Sequence, residues 1–217
     1  MSAASAASTA APVTADDLEQ IVRLAVRALA DAPADAWARP AAGLEWDCWE
    51  TAEHLADDFF AYAAQLGPAA PPLDRYVPFA ADAARPGAPV QTLRADRAAG
   101  PAGLLQVLEA SGALLVAMVR TADPATRAWH PMGTADPEGW AAMGIVEAVV
   151  HTHDLAAGLG VDWQPPAGIC ARTLHRLFPD APRDTDPWAT LLWATGRGTL
   201  PGRDRLTAWR WYAQPRP

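Results

Sequence analysis

The sequence predicts an all-α chain: a four-helix bundle with one long crossover connection and short C-terminal helical additions. Three observations carry this. Four segments of helical length place apolar residues three and four apart. Each opens on a residue that starts helices. A long Pro-, Ala- and Arg-rich stretch separates the second segment from the third, as in bundles with a crossover. With 217 residues, 51% of them hydrophobic, the chain is long enough to bury one sizeable core. A single domain over 14–217 is expected, its last part (about 165–217) an extension beyond the bundle.

The first helix is expected from Thr14 to Leu29. Thr14 and Asp17 have the spacing of a capping box, and Leu18, Ile21, Val22, Ala25 and Leu29 make one apolar stripe. The second starts near Asp47, with Glu50 three residues on, and runs to Leu66, where Gly67-Pro68 stops it. Trp49, Ala52, Ala56, Phe59 and Ala63 form its stripe. From Pro68 to Gly100 a connection with at most a short helix is expected, and long connections are often functional. The third helix covers Pro101 to Thr121 and is apolar nearly all round, which predicts a central position. Asp136-Pro137-Glu138 opens the fourth, which runs to Leu159 with Gly160 as its cap. Shorter helices are expected over Ala167–Phe178 and Pro187–Thr195. Met1–Val13, rich in Ala and Ser, reads as a disordered tail.

Composition removes several function classes. A formal net charge of −8 opposes sequence-independent nucleic-acid binding, which needs a basic surface. No apolar run approaches the roughly 20 residues that span a bilayer, so no membrane association is expected. The N-terminus lacks the basic start and apolar core of a signal peptide, which predicts a cytoplasmic protein. The two cysteines, Cys48 and Cys170, form no Cys-x-x-Cys pair, so a zinc ribbon or dithiol redox motif is excluded. All seventeen basic residues are Arg, which excludes a Schiff-base or P-loop lysine. Most of the ten Trp are expected in packing, and the apolar third helix suits either a core or a homodimer face.

Chemistry concentrates in the fourth helix, in Gly144-Ile145-Val146-Glu147-Ala148-Val149-Val150-His151-Thr152-His153-Asp154-Leu155. Glu147 and His151, at i and i+4, share one face. On a helical wheel Trp140, Gly144, His151, Asp154 and Gly158 fall within about 60° of Glu147. The two glycines are expected to leave room beside this polar stripe. A carboxylate and an imidazole in so apolar a helix are costly to bury unpaired, and a divalent metal would pair them; a solvated salt bridge is the plainer alternative. Asp154 is expected to orient His151 or handle a proton, or else to pair with an arginine. His153 points away. A third ligand has to come from elsewhere, and periodicity does not choose it. His54 lies opposite the second helix's apolar stripe, among Glu50, Asp57 and Asp58, and reads as solvated. His130 sits in a loop before the fourth helix and could also reach an end of the bundle, and His130 or His153 could add a fourth ligand, which would favour a structural, non-catalytic metal. His175 reads as a surface residue.

The segment Trp46-Asp47-Cys48-Trp49-Glu50-Thr51-Ala52-Glu53-His54-Leu55 resembles the "W-T-x-x-D-x-x-x-H-L" helix of the mycothiol-dependent maleylpyruvate isomerase N-terminal family, of the DinB-like superfamily. Glu147 to Ala156 resembles that family's "E-x-x-x-H-x-x-D-L" helix, and Leu191-Leu192-Trp193-Ala194-Thr195-Gly196-Arg197 its "L-L-W-x-T-G-R" segment. The resemblance spans about Thr14 to Trp211. It implies a DinB-like four-helix bundle holding a divalent metal, usually zinc, on His54, Glu147 and His151. It also implies mycothiol as a thiol cosubstrate and a small-molecule substrate. Family isomerases are expected to carry a further C-terminal sterol-carrier-like domain, for which this chain is too short.

Two imidazoles and one carboxylate leave a coordination position open. A thiol bound there would be held as thiolate and would add to an electrophilic carbon. Elimination after bond rotation gives isomerisation; retention of the adduct gives S-transfer. Two other readings stay open: a metal-dependent hydrolase using bound hydroxide, and a bundle that binds a small ligand without catalysis. Arg85 and other arginines of the long connection are candidates to bind an anionic substrate. Cys48 is expected to be structural.

Overall fold

Local signals at the helix ends do what their chemistry requires in the computed structural model, which describes residues 11–215. Helix α1 (Ala15–Leu29) begins at Thr14, whose hydroxyl accepts from the Asp17 N–H while the Asp17 carboxylate accepts from the Thr14 N–H. Helix α2 (Cys48–Leu66) repeats this with Asp47 and Glu50. Helix α3 (Gly100–Thr121) has Pro101 in its first turn. Helix α4 (Pro137–Leu159) starts on Asp136, which accepts from the Gly139 N–H, and stops at Gly160 at φ +74°, a left-handed conformation that favours glycine. Helices α5 (Ala167–Leu177) and α6 (Pro187–Ala194) follow. The architecture is therefore all-α, as expected. Residues 1–10 of the expected tail lie outside the described residues; Val13, its last residue, is buried and its N–H donates to Glu138 at 3.0 Å.

Helices α1 and α2 each pack on both α3 and α4. The centre of the bundle is α4, not α3. Ile145, Val146, Ala148 and Val149 of α4, which face different directions, are all fully buried. α3 buries Leu104, Leu108 and Leu115 but leaves Leu114 52% exposed. An apolar flank turned outward misled the sequence pattern, because hydrophobicity does not require burial. The stretch Arg97–Thr121 is in fact long and apolar enough to cross a membrane by length and composition, contrary to the expectation that no run is. Its buried leucines are spent on packing against α1 and α2, the ordinary condition of a bundle helix.

The connection between α2 and α3 lies across the polar face of α2. It contains a two-residue antiparallel ribbon, β1 (Asp82–Ala83) with β2 (Val90–Gln91), pairing Asp82 with Gln91 and Ala83 with Val90. Carboxylates of α2 pin it in place. Glu50 takes a bidentate bond from Arg85 at 2.6 and 2.7 Å. Glu53 accepts from the Ala95 N–H at 3.1 Å. Asp57 accepts from Thr92 and Leu93 at 2.9 and 2.6 Å. The residues that periodicity reads as the solvated side of α2 are thus buried under this strap, each with partners that offset desolvation.

Candidate metal centre

Two histidine–carboxylate pairs, each spaced i and i+4 on its own helix, face each other beneath the strap. On α2, His54 Nε2 lies 3.4 Å from Asp58 Oδ2. On α4, His151 Nε2 lies 3.2 Å from Glu147 Oε2. The two imidazoles meet edge to face with ring centroids 5.2 Å apart, so α2 and α4 meet at this point through polar side chains. Ligand atoms of His54, Asp58 and His151 all lie within 4.8 Å of one another. Glu147 joins this trio through His151.

His54 is not a solvated residue. Its side chain is 22% exposed, packed edge-on against Trp46 and His151. Burial, then the neighbouring positive charge of His151, lowers its pKa to about 4, so it is a neutral imidazole at pH 7. Asp58 is the residue the sequence reading missed as part of the site. Its signal was available: it lies one helical turn beyond His54, mirroring the Glu147–His151 spacing. Burial and the charge of Glu147 push its carboxyl well above the usual range.

Burial alone would depress His151, yet its contacts with Asp154 and Glu147 raise it to about 9. The Asp154 contact is long, 3.6 Å from His151 Nδ1, so the closer Glu147 contact is the firmer of the two. Burial would raise Glu147, but bonding to His151 outweighs it and holds the carboxyl below its ordinary value. Tyr62 Oη donates to the other oxygen of Glu147 at 3.1 Å. Asp154 also faces Arg197, which donates to its two oxygens at 2.7 to 3.1 Å. The arginine alternative and the contact with His151 therefore coexist in one chain of contacts, Arg197–Asp154–His151.

The remaining candidates separate cleanly. His130 lines the same cavity beside Tyr62 and Trp211, but its Nδ1 accepts from the Met132 N–H at 3.1 Å, and it is outside the close trio. His153 faces Trp188, and His175 lines a separate hollow near α5. Gly144 and Gly158 do not open space for the site. A Cβ on Gly144 would stand 2.8 Å from Leu115, and one on Gly158 2.6 Å from the Cys48 sulfur, so both serve close packing. Buried Cys48 has its thiol pushed up to about 11, consistent with a structural role.

His54 Nδ1 and Asp58 Oδ2 are buried with no hydrogen-bond partner among the described residues. Orphaned polar atoms are costly in a core. Here they belong to an imidazole and a carboxylate that face a second imidazole, His151, from another helix, donor types that suit a divalent first-row metal. The centre opens onto a cavity of about 480 Å³ whose wall includes His54, Asp58, Tyr62, His130 and Glu147.

A helical bundle with histidine and carboxylate donors between its second and fourth helices defines a class of candidate metal-dependent proteins. Comparison with known families is more specific. Residues 18–156 match the model of the mycothiol maleylpyruvate isomerase N-terminal domain, and the chain belongs to that family. Among solved structures it is similar to a crystal structure of the mycothiol-dependent maleylpyruvate isomerase, determined as a histidine-to-alanine mutant. The TM-score is 0.56 at 16% identity, covering 88% of this chain and 97% of that one, a likeness of fold. No curated protein matches the chain.

Proposed function

We propose that this protein is a divalent-metal-dependent enzyme that activates a low-molecular-weight thiol of the mycothiol type for addition to a small electrophile, giving isomerisation or S-transfer. The observation that carries the reading is the convergence of His54 and Asp58 with His151 and its partner Glu147, where His54, Asp58 and Glu147 line a large cavity. Family membership supports the thiol. Bound to His54, Glu147 and His151, with Asp58 adjacent, a divalent ion, zinc by expectation, would lower a thiol's pKa from about 8.5 so that thiolate prevails at neutral pH.

The chain's own residues preorganise this site. Tyr62 fixes one oxygen of Glu147 and leaves the other toward His151. Arg197 locks Asp154, and Asp154 faces His151 Nδ1, the outer contact that orients a ligating imidazole. We assign Asp154 this orienting role rather than proton handling, because Arg197 engages both its oxygens. His130, lowered by burial to about 4, is neutral at pH 7. With Nδ1 accepting from Met132, its proton sits on Nε2, a donor in the cavity wall. A small-molecule thiol is kept reduced in the cytoplasm, which is the compartment we propose.

The test is turnover of electrophiles by metal-loaded protein with and without mycothiol. Turnover that requires the thiol and is lost in His151→Ala supports the reading. Equal turnover without thiol would transfer the site to a hydrolytic, hydroxide-based reaction.

A further inference from the structure

The centre holds one donor more than the ligand set His54, Glu147 and His151. Asp58 stands outside that set. Yet the ligand atoms that lie within 4.8 Å of one another come from His54, Asp58 and His151, and Glu147 meets this trio at His151 Nε2. Each of the two helices therefore contributes the same pair, an imidazole and a carboxylate four residues apart. Both carboxylates stand in the wall of the cavity.

Two roles are open to a carboxylate in this place. One is to accept a hydrogen bond from His54 and hold its ring from outside, as carboxylates do for ligating histidines. The contact does not have that form. His54 Nε2 and Asp58 Oδ2 are 3.4 Å apart, beyond the usual N–H···O range, and Oδ2 is buried with no hydrogen-bond partner among the described residues. The other role is direct ligation. An ion with four tetrahedral bonds of about 2.0–2.1 Å keeps its ligand atoms about 3.3–3.4 Å apart. The pairs on α2 and α4, at 3.4 and 3.2 Å, are close to that spacing. Charge agrees with it. A buried ion needs its charge compensated. Glu147 alone leaves a divalent ion half balanced, and Asp58 supplies the second negative charge.

We propose that Asp58 is itself a metal ligand, so that two imidazoles and two carboxylates, one of each from α2 and from α4, hold the ion. This rests on the reading of the centre as a metal site and extends it by one residue. Four protein donors do not close the centre to ligands: it borders the cavity, and zinc reaches five-coordination in catalytic sites, which leaves a thiol its position. The test is binding, not activity. Zinc affinity is measured by competition with a chelator for wild type, Asp58→Asn and Asp58→Cys, and each protein is then loaded with cobalt(II) for its absorption spectrum. Asp58→Asn should bind zinc at least tenfold more weakly than wild type. Its metal-free form should melt no lower than metal-free wild type, because a buried carboxylate oxygen without a partner has been relieved of its charge. Cobalt-loaded Asp58→Cys should show a sulfur-to-cobalt charge-transfer band that the wild type lacks, since only a directly bound thiolate gives one and both native cysteines are buried. Unchanged zinc affinity in Asp58→Asn would make Asp58 a bystander, and weaker affinity without the cobalt band would make it an outer contact; either result overturns the proposal. A wild type that binds neither metal would overturn the metal centre as well, whereas those two results leave the centre standing.

Discussion

His151 is the most heavily constrained residue of the centre, facing Glu147 on one ring nitrogen and Asp154 on the other. Its pKa, raised from 6.5 to about 9, has two consequences. In metal-free protein its contribution to stability is complete below about pH 6.5 and is lost as the pH rises through about 9, because the folded state then gives up the proton it held more tightly. At pH 7 a metal has to displace that proton, since only neutral imidazole ligates. Zinc binding at pH 7 should therefore release at least one proton, read as a dependence of the calorimetric enthalpy on the ionisation enthalpy of the buffer. A buffer-independent enthalpy would contradict the protonated resting state. Arg197 acts one step further out. Arg197→Met should leave the helices folded and weaken metal affinity by about 10- to 100-fold, the usual scale for outer contacts. Unchanged affinity in a competition titration would reduce the Arg197–Asp154 pair to a structural one.

At the scale of elements, the strap between α2 and α3 decides what α2 means. Helix boundaries were legible because caps are local: Thr14 with Asp17, Asp47 with Glu50, Asp136 before Pro137, and Gly160 all act within a turn of the ends they set. The orientation of His54 was not legible, because it depends on a connection that covers the polar face of α2 from outside. A two-sided wheel has no place for a helix that buries apolar residues in the bundle and carboxylates under a strap. Glu50, Asp57 and Asp58 therefore read as the solvated side, and His54 among them. The resemblance assigns His54 to the metal and does not name Asp58, whose place beside His54 and His151 shows only once α2 and α4 are set side by side. Asp57 tests the strap. Asp57→Ala would orphan the Thr92 and Leu93 N–H groups at roughly 1–3 kcal/mol. It should lower Tm by several degrees and speed amide exchange at those two residues. Native exchange at both would show that the strap is held by other contacts.

For the whole molecule, the bundle brings together two pairs that are distant in sequence and individually ordinary. A His and a carboxylate four apart on one helix are commonly no more than a solvated ion pair. Two such pairs, buried and facing across a helix contact, with polar atoms left unpartnered, make a site that neither helix encodes alone. That is why Glu147 and His151 were conspicuous in the sequence while their counterparts on α2 were not. The fourth helix, at the centre of the fold, places its pair where α2 and the strap enclose it, and the cavity beyond gives that centre access to a ligand. The most direct test of this arrangement is metal content by elemental mass spectrometry on the wild type beside His54→Ala and His151→Ala. About one metal per chain, lost in both variants while their helical circular dichroism persists, is the expected result. A wild type that takes up no zinc, or a His54→Ala variant that keeps its metal, would contradict a centre shared between α2 and α4.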